Sequence, residues 1–84
     1  MRLPVPFAAL GERMTPSRAR ELAELVAVEG EVLYRLPTNW NVATTAAVRS
    51  NESELFDGLG LRFVTRKTAD GTPGLYAVQE ARDE

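Results

Sequence analysis

A chain of 84 residues has room for one domain and one small core, and 44% hydrophobic with 26% charged residues is the composition of a folded protein. There is no Cys and no His, which excludes disulfides, zinc ribbons, haem ligation and nucleophilic triads built on either residue; no cofactor or metal is expected. Ten basic against twelve acidic residues give a net charge of −2, so any nucleic-acid role has to rest on a local patch.

Residues 1–14 read as an extended arm, because Pro4 and Pro6 bias the residues before them out of the α region. The same prolines interrupt the apolar stretch Leu3 to Leu10 and make it a poor signal sequence, and no stretch is long enough to span a membrane. A cytoplasmic protein is the expectation. Leu3, Val5, Phe7 and Leu10 carry more apolar surface than a free arm exposes, so docking on the chain's own domain is expected, with a second subunit or a partner protein as the alternative.

Thr15-Pro16 supplies an N-cap followed by proline at the first helical position, predicting a helix from Pro16 to Val28 with Gly30 as its C-terminal cap. Ala19, Leu22, Ala23 and Val26 share one face, Leu25 widens it, and Arg18, Glu21 and Glu24 face water. Glu31 to Leu36, closed by Pro37, reads as a strand with Val32, Tyr34 and Leu36 on one side and Leu33 and Arg35 on the other. Thr38 to Asn41 offers several N-caps for a second helix running from Val42 to Ser50, with Trp40 as a large anchor at its entry and Asn51 ending it in a left-handed conformation.

Glu52 to Gly58 forms one short helical turn with Leu55 and Phe56 pointing inward. Leu61 to Lys67 and Leu75 to Gln79 are β-type runs around the turn-forming segment Thr68 to Gly74, predicting a hairpin with a long, mobile tip. The charged tail, 80–84, is expected to fray. The reading is one domain over 1–84, with its globular part at 15–79. Its class is α+β: two helices packed on one face of a three-stranded antiparallel sheet that ends in a C-terminal β-hairpin.

Residues 61–79 hold Arg62, Arg66 and Lys67 against Asp70 alone, a local +2 in a chain whose remainder sums to −4. Alternation puts Arg62, Val64 and Arg66 on one side of the strand and Leu61, Phe63 and Thr65 on the core side. If the first strand pairs into the sheet, Arg35 joins Arg62 and Arg66 on an open face, beside Tyr76, where they would suit phosphate contacts. A solvated face charged to deter edge aggregation explains the same residues.

The order helix, strand, helix, short helical element, hairpin over residues 15–79 resembles a winged-helix module. That resemblance implies DNA binding by a helix in the major groove and by the wing. Glu52, Glu54 and Asp57 on the short turn would repel phosphate, which moves the implied contacts to Asn41, Thr44, Thr45 and Arg49 on the second helix and to Arg62, Arg66 and Lys67 on the wing. The stretch from Leu61 to Thr68, with Asp70-Gly71 and Leu75-Tyr76-Ala77, is also similar to hairpins of small proteins from actinobacteria and their phages.

Trp40 reads first as a packed core residue and otherwise as a stacking or partner-contact residue. The carboxylates Glu21 and Glu24, and Glu52, Glu54 and Asp57, have no companion His or Lys, and no phosphate-loop or dinucleotide pattern occurs, so an enzyme is not expected. Two functions remain open. One is a small nucleic-acid-binding regulator using Arg62, Arg66, Lys67 and Arg49, with Arg35, Asn41 and Thr44 in support. The other is a non-enzymatic protein-interaction module, a homodimer or a phage-type modulator of a host protein, using Phe7, Leu10, Trp40 and the sheet edge.

Overall fold

A computed structural model describes residues 5–9 and 11–80. Leu3, Leu10 and tail residues 81–84 lie outside this set, so the roles expected of them are not addressed by the fold. Chain order is α1 (Pro16–Glu29), β1 (Glu31–Arg35), α2 (Trp40–Glu52), a single 3₁₀ turn (Glu54–Phe56), β2 (Leu61–Lys67) and β3 (Pro73–Gln79). The architecture is α+β, with an antiparallel sheet ordered β1-β3-β2. Among the described residues no helix is long and apolar enough to cross a membrane.

The first helix begins where the Thr15 hydroxyl accepts from the Arg18 N–H, and it ends where Gly30, at φ +82°, returns its N–H to the Val26 carbonyl. Ala19, Leu22 and Val26 are buried on its inner face, whereas Leu25 stays partly exposed. Asn39 caps α2 by accepting from the Val42 N–H, so this helix starts two residues earlier than the sequence implies. Its inner face is made of Ala43 and Ala47, small enough to bring the helix axis close to the sheet. Both helices pack on the sheet face that presents Val32, Tyr34, Phe63, Leu75 and Ala77.

Strand β1 is not regular. Val32 faces Ala77 and Leu33 faces Tyr76, but Arg35 faces Leu75, which leaves Tyr34 as an extra residue in a bulge. Tyr34 stays on the helix side, buried against Phe56 and Phe63, with ring centroids 6.1 and 5.1 Å away. Arg35 shares the row of Leu75 and Thr65 on the helix side, not the outer row of Arg62 and Arg66. The expected common face of the three arginines is thus corrected by one inserted residue, which inverts the alternation.

Asn51 does not end α2 in a left-handed conformation, since no non-glycine residue described has positive φ. It is helical, and its side-chain amide faces the edge of β2: Nδ2 donates to the Phe63 carbonyl at 2.9 Å and the Phe63 N–H donates to Oδ1 at 2.8 Å. Phe63 lies opposite Ala77 at a position whose backbone groups point away from β3, so the amide stands where another strand would pair. On the other edge, the Phe7 and Ala8 N–H groups donate to the Leu33 and Tyr34 carbonyls. The arm docks on its own domain, with Ala8 fully buried and Phe7 packed against the core, while Val5 is exposed.

Arg18 holds the arm in place instead of facing only water. Its guanidinium lies 4.0 Å from the Phe7 ring centroid, donates to the Phe7 carbonyl at 2.7 Å, and pairs with Glu12 and Glu21.

The hairpin loop is shorter than the sequence implies, because β3 starts at Pro73. Thr68 is buried; its N–H donates to the Thr72 carbonyl, while Gly71 donates back to the Thr68 carbonyl. The tip is a hydrogen-bonded knot rather than an open loop.

Two substitutions test this packing. Asn51→Ala removes both bonds to Phe63 and is expected to lower stability by about 1–3 kcal/mol in urea unfolding. At Gly74 an added Cβ would lie 2.8 Å from a Thr68 methyl and 2.9 Å from the Tyr76 ring. Gly74→Ala is accordingly expected to cost about 1–3 kcal/mol by the same measurement.

Candidate functional site

Helix α2 presents the longest exposed surface free of acidic side chains on an element of the described fold. Asn41, Val42, Thr44, Thr45, Val48 and Arg49 all point away from the buried Ala43 and Ala47, and Glu52, its last residue, is the first acid along it. Thr44 donates its hydroxyl to the Trp40 carbonyl at 3.0 Å, a bond within the helix that leaves an acceptor lone pair outward. Trp40 is 44% exposed and is not part of the core cluster, contrary to the core packing first expected of it. Its position at the first turn, where the chain enters from the exposed segment Thr38-Asn39, keeps the indole at the surface.

A groove of about 400 Å³ runs along this helix between Asn41, Val42, Thr45, Ala46 and Arg49. At Ala46 and Arg49 it meets a smaller cleft of about 200 Å³, whose other lining residues are Tyr34, Arg35, Ser50 and Leu75. Arg49 thus lines both depressions, with Asn41 in the groove, Arg35 in the cleft and Thr44 on the adjoining helix surface. This association was not visible in the sequence, where Arg35 was assigned to the opposite side of the sheet.

Arg35 is partly buried beside the smaller cleft. One terminal nitrogen donates to the Glu12 carbonyl at 2.6 Å, and the guanidinium carbon sits 4.9 Å from the Tyr34 ring centroid. Its Nε is buried and has no hydrogen-bond partner. No carboxylate lines the cleft, and neither Arg35 nor Arg49 has an ion-pair partner among the described residues.

The hairpin arginines lie elsewhere. Arg62 and Arg66 project from the face opposite the helices, in the rows of Val78 and Gly74. Arg66 is paired with Glu31 across the sheet. Arg62 lines a groove of about 400 Å³ with Asp57 and Glu80, whose negative charge offsets its own. Lys67 is exposed at the end of β2 and by its register belongs to the helix side. Of the expected partner-binding residues, Phe7 is engaged by Arg18, Leu10 is outside the described residues, and Trp40 is available.

No protein-family profile, curated protein or solved structure gives a significant match to this chain. Functional assignment therefore depends on the side chains just described.

Asp70 tunes the hairpin tip. The Thr68 hydroxyl, then the Thr72 hydroxyl and Thr72 N–H, donate to its carboxylate and hold its pKa below the ordinary value. Because these bonds favour the charged form, their contribution is present above the unfolded-state pKa and is lost as pH falls through the lowered folded value. In an NMR acid titration, the Thr72 and Gly71 amides should shift together with a midpoint below that of an unperturbed aspartate. Asp70→Asn should abolish that transition; a midpoint at the ordinary value would contradict the bonding of the tip.

Proposed function

We propose that this domain is a small, cytoplasmic nucleic-acid-binding regulatory protein whose contact surface is the exposed side of α2. The observation that carries the reading is the run of amide, hydroxyl and guanidinium groups from Asn41 to Arg49, uninterrupted by an acid. Such side chains suit base edges and phosphates alike: amides and hydroxyls donate and accept, and arginine provides a planar fork. Lys67 extends the basic surface at the hairpin, while Trp40 offers a flat face for stacking at the helix entry.

The order of elements from α1 to β3 supports the winged-helix resemblance. The element before the hairpin is only a single turn, and Glu54 and Asp57 flank it, so the reading places α2 rather than that turn against the nucleic acid. Arg62 and Arg66 have no part in the proposed contact, being on the far face of the sheet.

A second reading is favoured by the exposure of Trp40, Val42 and Val48 on the same helix, an apolar set that a protein partner could bury. An edge-strand partner is less suited, since the arm and Asn51 already engage both sheet edges.

The test is a titration of a labelled mixed-sequence duplex at several salt concentrations, followed by the fluorescence anisotropy of the label. Binding is expected to weaken steeply with salt, and Arg49→Gln or Lys67→Gln should each reduce the slope of log K against log salt by about 1. Arg62→Gln and Arg66→Gln should leave the slope within error of the parent. Absence of binding at low salt would exclude the nucleic-acid reading. Salt-independent binding altered only by Val48→Ser or Trp40→Ala would transfer the surface to the apolar reading.

A further inference from the structure

We infer that the cleft between β1 and α2 is a seat for a single phosphate oxyanion, held by Arg35 and Arg49 with the Ser50 hydroxyl as a third donor. The cleft measures about 200 Å³ and has both arginines in its lining, one from each element. Two guanidinium groups beside one small cavity repel each other unless an anion lies between them. Every described ion pair in the fold involves other arginines, and none of the lining residues is acidic. The positive charge at this point is therefore uncompensated by the chain's described residues.

Arg35 is also preorganised. The Glu12 carbonyl fixes one nitrogen and the Tyr34 ring lies against the guanidinium plane, so its fork is held in one orientation before any ligand arrives. Its other terminal nitrogen makes no hydrogen bond among the described residues, and its Nε is buried without a partner. An oxyanion accepts several such donors at once, whereas a neutral ligand would leave the two charges unbalanced. Ala46 and Leu75 supply apolar walls beside these donors.

This inference deepens the α2 reading and rests on it for the source of the phosphate, a backbone phosphodiester docked where the groove along the helix meets the cleft. The same donors would take the phosphate of a free ion or a nucleotide. The seat and the nucleic-acid interface can therefore be tested apart.

The experiment is an NMR titration of the full chain with inorganic phosphate, against sodium chloride of equal ionic strength, and separately with a short mixed-sequence duplex. Phosphate is expected to shift the side-chain Nε–Hε signals of Arg35 and Arg49 and the Ser50 amide saturably. Arg49→Gln, a change on an exposed helix surface, should abolish those shifts while leaving the amide spectrum of the sheet intact. The duplex should move the same signals, and its affinity should fall about tenfold in Arg49→Gln and less in Ser50→Ala. Phosphate shifts no larger than those with chloride would overturn the seat, and duplex binding in that case would leave the α2 interface standing. Saturable phosphate shifts without duplex binding would support the seat, assign it to a free phosphate or nucleotide, and remove the nucleic-acid reading.

Discussion

Between Leu33 and Arg35 the pairing of β1 with β3 skips a residue, and the cleft beside α2 depends on that skip. A regular strand would continue the alternation, placing Arg35 opposite Gly74 and in the outer row of Arg66. With the extra residue, Tyr34 and Arg35 both fall on the helix side. Tyr34, which faces the helices in either register, joins Phe56 and Phe63, whose rings are themselves 4.7 Å apart, in a three-ring cluster beneath the helices. Arg35 follows it inward and becomes a partly buried cation beside α2. The arm fastens to this same point, because its N–H groups reach the carbonyls of Leu33 and Tyr34 and its Glu12 carbonyl receives Arg35.

The elements that could be read from the sequence are those announced by neighbours in the chain. Thr15-Pro16 and Gly30 bracket α1 because an N-cap, a fixed proline φ and a positive-φ glycine act within a single turn. The alternation of Leu61, Phe63 and Thr65 against Arg62, Val64 and Arg66 needs only the two-residue period of β2. What could not be read is set between distant residues. A bulge leaves the composition of a strand unchanged, so nothing in Glu31 to Arg35 signals that the period breaks. Asn51 has the side chain of a helix terminator, but the orphaned backbone of Phe63 gives its amide a better use. Pro73-Gly74 has turn composition, yet proline is accepted at the first position of a strand, and Gly74 lies where Thr68 and Tyr76 leave no room for a Cβ.

The candidate site was legible by residue type and not by place. Asn41, Thr44 and Arg49 could be assigned to one helix surface from helical spacing, and they occupy it. The hairpin arginines drew attention through local charge, but charge excess does not reveal who neutralises whom. Glu31, 35 residues away from Arg66, takes up that cation, while Asp57 and Glu80 flank Arg62. Conversely, Arg18 was read as a solvated helix residue, although its stacking on Phe7 ties the arm to α1.

The amide of Asn51 also acts as a tie between α2 and the outer edge of β2. It can make its paired bonds only with a β2 residue whose N–H and C=O both point outward, a condition met at alternate positions. A one-residue slip of β2 that kept its ladder with β3 would turn Phe63 to the outer face and present the outward backbone of Arg62 or Val64 to the same amide. The amide reads backbone and not side chains, so the burial of Phe63 is what sets the alignment, and Asn51 fastens the strand so aligned to α2. Because α2 carries this tie a turn or less from Arg49 and Ser50, the hold on the edge of β2 and the placement of the cleft are mechanically linked.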